Sequence, residues 1–289
     1  MIDGLAVVDK DEGWTSHDVV AKCRGIFGQR KIGHSGTLDP DATGVLLVGL
    51  GRVTRLLRFL TALPKAYVGE VVLGSATSTL DSSGEVTGEW DMAAVTLDDV
   101  RAAAGRFLGS IEQVPPMVSA VKVDGRRLHD LARQGIEVER AARPVEIHRI
   151  DVDSTPTPGV FRVDVECSSG TYIRTLAADI GTALGGGAHL RNLRRTAIGS
   201  FTLADARPLA ELGADAVLDP AAALRDYPAV TAAGDLVAAV GHGKVLPADA
   251  LGAAGPGPWA VVDESGTLLA MYEAHTDRTV KPAVVLAPN

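Results

Sequence analysis

The chain has 289 residues, 46% of them hydrophobic and 22% charged, and a formal net charge of −8. This length gives one large or two unequal domains with a sizeable core, and no stretch of about 18 consecutive apolar residues is present to cross a membrane as a helix. The opening "MIDGLAVVDKDEG" has a short apolar run between acids and no basic segment, which is not the pattern of an export signal. Cys23 and Cys167, the two cysteines, follow no metal-binding spacing. They are expected to be buried, reduced thiols of a cytoplasmic protein.

Leu5 to Val8 read as a short buried strand. Ser16 is placed to cap a helix in which Val19, Val20, Cys23, Ile26 and Phe27 recur at helical spacing. After a polar loop at 33–44, "VLLVGL" (45–50) is a second buried strand. The next helix has Val53, Leu56, Leu57 and Leu60 on one face and Arg52, Arg55 and Arg58 on the other. "YVGEVVLG" (67–74) and "FRVDVEC" (161–167) alternate as half-buried strands, and Thr96 to Leu108 has an amphipathic helical pattern. Alternating strands interleaved with helices favour a mainly antiparallel sheet in an α+β fold. From residue 226 the texture changes. "LGAAGPGP" (251–258) is a loop or hinge, and "WAVVDESGTLLAMYE" (259–273) is a hairpin turning at Asp263–Gly266. Residues 1–225 and 226–289 are therefore expected to form a large domain and a small β-module.

Charge is unevenly spread. Residues 70–112 and 201–289 each carry −6, whereas 122–149 carries +2 and 170–200 carries +3, with Arg191, Arg194 and Arg195 close together. A local basic footprint inside an acidic chain permits a nucleic-acid partner without requiring one.

The loop "GHSGTLDPDATG" (33–44) is too polar for a core element and holds Asp39 and Asp41. A calcium loop would need a glutamate where Leu50 stands. A phosphatase-type Asp-x-Asp-x-Thr nucleophile would end a hydrophobic parallel strand, and "KIGHSGTL" is not one. Spacing alone leaves a surface turn initiated by Asp39–Pro40 as the simplest reading.

Longer segments carry more. "GHSGTLDPDATGVLLVGLGRVTR", "KAYVGEVVLGSATSTLDSSGEV", "PPMVSAVKVDGRRLHDLARQG", "CSSGTYIRTLAADIG" and "GGGAHLRNLRRTAIGSF" follow one another in order. Together they resemble the motifs of the TruB family of tRNA pseudouridine synthases. The likeness spans most of residues 2–203. It departs at 10–13, where "KDEG" stands in place of the usual Lys-Pro-x-Gly.

The resemblance implies a pseudouridine synthase fold with a mixed sheet flanked by helices, and a tail weakly similar to the PUA-type RNA-binding module. It implies isomerisation of uridine to pseudouridine at position 55, in the TΨC loop of tRNA. That reaction exchanges no electrons or groups with a second reactant, so no cofactor or metal is expected. Asp39 matches the essential aspartate, acting as nucleophile or base beside the sugar, while Asp41 falls at a variable position and is expected to be structural. Arg174 matches the arginine that pairs with the aspartate. Tyr67, Tyr172 and Leu193 match the walls of a pocket for a flipped-out base, and His34 matches the histidine set against the flipped segment. Lys10 is expected to support Tyr67 from beneath, and Arg191, Arg194 and Arg195 are candidates for phosphate contact. A tRNA-binding folding chaperone with secondary or lost catalysis is the alternative, and a relative working inside a guide-RNA particle is a third. The pair Asp39 and Arg174 favours turnover. The compact chain without long basic tails favours a standalone monomer with no protein partner.

Overall fold

The first and third strands are unbroken apolar runs because the fold covers both of their faces. In β1 (Gly4–Lys10), Leu5 and Val7 enter one core and Ala6 and Val8 another. Helix α1 (Ser16–Ile26) and the short strand β2 (Ile32–Ser35) lead to β3 (Thr43–Leu50), which divides Val45 and Leu47 from Leu46 and Val48 in the same way. The computed structural model describes residues 2–119, 122–123, 125–132 and 134–286. Ala120, Val121, Asp124 and Arg133, within the third family-like segment, lie outside the described residues.

A 3₁₀ turn (Gly51–Arg55) runs into α2 (Leu57–Ala62), and β4 (Lys65–Leu73) follows. Then come α3 (Leu97–Gly105), β5 (Gly109–Gln113), β6 (Arg143–Ser154), β7 (Val160–Cys167), α4 (Ile173–Ala183) and β8 (Ala188–Ile198). One large sheet orders them β1-β3-β8-β4-β7-β6-β5. All neighbouring pairs on that path are antiparallel except β3 with β8. The sheet is thus mixed and mainly antiparallel, as the alternation of β4 and β7 leads one to expect. α3 and α4 pack on its β4-β7-β6 half around Val71, Val163, Val165, Ala103 and Leu176.

Two local expectations change. α1 is capped by Thr15, whose hydroxyl accepts from the Asp18 amide while the Asp18 carboxylate accepts from the Thr15 amide. Ser16 is diverted: its Oγ accepts from the Leu38 amide at 2.9 Å and so fastens the 33–44 loop. The helix predicted from Val53 is also split, a 3₁₀ turn followed by a short α-segment.

The tail forms a five-stranded sheet from Ala229–Thr231 (β9), Leu246–Pro247 (β10), Trp259–Val262 (β11), Leu268–Thr276 (β12) and Thr279–Val285 (β13). The hairpin turns at Asp263–Gly266, where Asp263 Oδ1 accepts from Ser265 and Thr267. One face has its own core around Trp259, Val261, Tyr272 and Val280. The other, through Ala260, Leu268, Met271, Val284 and Leu286, shares a core with Val53, Leu56, Phe59 and Leu60. The arginine face of that helix is turned to the tail as well. Arg55 donates to the Val285 carbonyl at 2.7 Å, Arg52 donates to the Leu286 carbonyl and to Asp3, and Arg58 faces Glu273.

Candidate active site

The loop before β3 is built by glycines and by clamps from the N-terminal turn. Gly44 has φ +101° and pairs with Arg195 across the parallel β3–β8 contact, where a Cβ would stand 2.2 Å from the Arg195 carbonyl oxygen. Gly44→Ala is therefore expected to destabilise the protein by roughly 2–4 kcal/mol, and urea unfolding with a midpoint matching wild type would contradict this. Residues 39–42 make a turn with Pro40 at its second position, closed by the Ala42 amide on the Asp39 carbonyl at 3.1 Å. The Pro40 carbonyl accepts from the Gly13 amide at 2.9 Å and from Lys10 Nζ at 3.0 Å. "KDEG" thus grips the loop without the usual proline.

Asp39, Tyr67, Tyr172, Arg174 and Leu193 line one cavity of about 260 Å³, together with Lys65 and Arg195. Five of the seven residues expected at the site therefore converge, from the loop, β4, the start of α4 and β8. Arg174, in the first turn of α4, is buried to 5% side-chain exposure and reaches Asp39 through Nε at 3.0 Å. A cation at a helix N-terminus opposes the helix dipole, and here two carboxylates compensate it. Asp39 is one, and Asp81 is the other at 3.2 Å. The Thr79 and Val118 carbonyls take further guanidinium hydrogens at 2.9 and 2.8 Å. Asp81 is itself oriented, since its Oδ1 accepts from Thr79 Oγ1, Ser83 Oγ and the Ser83 amide. α4 starts at Tyr172, whose amide and carbonyl are both held by the buried side chain of Gln113.

Leu193 reaches the cavity through a bulge. The register of β8 against β4 slips between Arg191 and Arg194, with Asn192 at φ +53°, and such an interruption re-aims side chains. Glu70 anchors it by accepting from Arg191 Nε at 2.7 Å and Asn192 Nδ2 at 3.0 Å.

Each of the three arginines here already has a protein partner. Arg191 pairs with Glu70 and Arg194 with Asp9. Arg195 is buried, donating Nε to the Val45 carbonyl and Nη2 to the Gly36 carbonyl. Lys10 also differs from expectation. Its ammonium is wholly buried and directs its hydrogens to the Asp11, Trp14 and Pro40 carbonyls, so it holds the 33–44 loop. His34 sits on β2, off the cavity lining, with its ring edge-on to His17 at 5.3 Å between centroids.

Burial dominates the electrostatics. It raises the Asp39 pKa above the ordinary carboxylate value; Asp81 and Asp41 push the same way, while Arg174 and Lys10 oppose. It lowers Lys10 and Lys65 to about 8 and His34 to about 4, leaving that imidazole neutral near pH 7. Asp41 is exposed. Among the described residues, no group of three or more His, Cys, Asp or Glu side chains could hold a metal ion.

Residues 24–173 match the N-terminal domain model of the TruB family of pseudouridylate synthases, more than half of the chain. The chain belongs to the TruB family. Residues 174–227 match the tRNA pseudouridylate synthase B C-terminal domain. TruB relatives include tRNA pseudouridine synthase B of Rhodococcus jostii (strain RHA1), 46% identical over 98% of this chain and 93% of that one. The enzyme of the same name from Symbiobacterium thermophilum is 53% identical over 86% and 84%. Among solved structures, the chain resembles one in a Cbf5-Nop10-Gar1 complex (TM-score 0.76, 29% identity, 97% of this chain and 83% of that one). It also resembles one in an H/ACA RNP bound to a substrate RNA containing 2'-deoxyuridine (TM-score 0.75, 26% identity, 99% and 85%).

Asp81, Gln113 and Lys65 are the site residues that sequence reading did not single out, and Arg195, expected at phosphate, lines the cavity instead. Asp81, Lys65 and Arg195 lay within the quoted TruB-like segments, but nothing local marks Asp81 as the partner of an arginine 93 positions away.

Proposed function

We propose that this protein isomerises uridine to pseudouridine in tRNA, at position 55 of the TΨC loop, with Asp39 as the essential carboxylate. The observation that carries the reading is Asp39 at the edge of a walled cavity, oriented by a buried arginine, in a TruB chain matched almost end to end by enzymes named tRNA pseudouridine synthase B. The N1–C1′ bond breaks, uracil turns, the C5–C1′ bond forms, and the C5 proton is lost while N1 gains one. Atoms balance with no second reactant.

Each residue has a task in that sequence. Asp39 acts on the sugar as nucleophile or base, and Arg174 orients it and favours its ionised form. Tyr67, Tyr172 and Leu193 supply flat and apolar walls for a base taken out of its stack. His34, neutral and just outside the cavity, meets the segment from which the base leaves. Lys10 acts indirectly, by fixing the loop. Residues 1–225 carry the chemistry and 226–289 form a PUA-like module. The protein acts as a monomer in the cytoplasm, a placement supported by the two free, buried thiols.

The deciding experiment is incubation of the purified protein alone with an unmodified tRNA transcript, followed by chemical mapping of pseudouridine. Modification at position 55 is the expected result. Tight tRNA binding with no pseudouridine would instead favour the folding-chaperone reading.

A further inference from the structure

Three long stretches of this acidic chain contain several cations and no acid, and in one, 180–204, Arg191, Arg194 and Arg195 have the protein partners described above. Residues 51–69 hold Arg52, Arg55, Arg58 and Lys65, and the fold engages all four, three against the tail and Lys65 on the Thr61 and Leu63 carbonyls. Residues 19–38 hold Lys22, Arg24, Arg30 and Lys31 and end directly before Asp39. All four are exposed, and none makes an ion pair with a described carboxylate.

These charges stand on a stiff support. Arg24 donates Nε to the Arg30 carbonyl at 3.1 Å and Nη2 to the Ile32 carbonyl at 3.4 Å, tying the end of α1 to the start of β2. Gln29 clamps both the amide and carbonyl of Ile2, and the Gly51 amide donates to the Lys31 carbonyl. The T-shaped His17–His34 contact joins α1 to β2 again, one residue pair from the loop that lines the cavity. A helix C-terminus accounts for Arg24 but not for Arg30 and Lys31, which lie beyond it. Like charges on a fixed backbone repel one another, and an approaching polyanion relieves that repulsion.

We propose that this ridge, the C-terminal half of α1 with Arg30 and Lys31, is the track on which the phosphate backbone of the substrate RNA lies. This rests on the proposed tRNA substrate and gives the RNA-facing role to residues other than the three arginines of β8. Phosphate contacts position a strand without reading its sequence, so the ridge sets how the RNA enters while the cavity selects the base.

The test measures Kd for an unmodified tRNA transcript against salt concentration, for wild type, Arg30→Ala, Lys31→Ala, the double variant and Arg106→Ala, an exposed cation outside the ridge. Each lost phosphate contact should lower the log–log salt slope by roughly 0.7–0.9. The double variant should lower it by roughly 1.5 and weaken binding about tenfold near 0.1 M salt, while the charge-preserving pair Arg30→Lys and Lys31→Arg keeps the wild-type slope. Arg106→Ala should match wild type. Wild-type protein that makes pseudouridine, with an unchanged slope in the double variant, overturns the ridge alone. Wild-type protein that neither binds nor modifies tRNA overturns the substrate reading and the ridge with it.

Discussion

Asp39→Asn is expected to remove pseudouridine formation by at least ~10³-fold, while tRNA affinity stays within several-fold of wild type and the fold is no less stable. The last part follows from burial. Because the folded-state pKa of Asp39 lies above its ordinary value, the fold holds the protonated form more readily than the unfolded chain does. Its contribution to stability is present at low pH and is lost as pH rises through the folded pKa. At neutral pH asparagine removes a partly desolvated charge whose side chain is 39% exposed, and Arg174 keeps Asp81 and two carbonyls. For the same reason, the acid limb of the wild-type single-turnover rate should lie above the ordinary carboxylate pKa of 3.8. Thermal unfolding and single-turnover assays on purified protein test both halves. Residual activity above about one per cent, or a clearly lowered melting temperature, would show that Asp39 has been given the wrong role.

Arg174→Ala should do the opposite to stability. Asp39 and Asp81 would face each other without a cation between them, and the Thr79 and Val118 carbonyls would lose their donors. Removing one member of a buried ionic network costs about 3–5 kcal/mol, so the unfolding midpoint should fall and turnover with it. Arg174→Lys should restore only part of either, because a single ammonium cannot serve four acceptors around a planar fork. Full recovery by lysine would mean that charge alone matters there and that the Asp81 side of the network is idle.

Much of the fold is legible in the sequence where local pattern decides it. The unbroken "VLLVGL" marks a strand covered on both faces, and the alternation in "YVGEVVLG" marks one with unequal faces. "DESG" marks the tail hairpin. Legibility fails where the partner is remote. Arg191 and Arg194 read as free cations because Glu70 and Asp9 stand 121 and 185 positions away. Thr15 and Ser16 are equivalent caps by type, and only the Leu38 backbone, brought alongside by tertiary folding, separates their tasks. Arg52, Arg55 and Arg58 follow helical periodicity, yet nothing local shows that these exposed cations reach the carbonyls and a carboxylate of a second sheet.

The fastening of that second sheet is blind to side-chain identity on the tail side at two of its three points. Arg52 and Arg55 grip the carbonyls of Leu286 and Val285, groups that any residue presents. A tail held by its main chain is free to change its amino acids so long as the last strand keeps its path and its apolar face. Tolerance is what such a grip allows: substitutions along the final strand should be absorbed, whereas shortening it by two residues should set the tail loose.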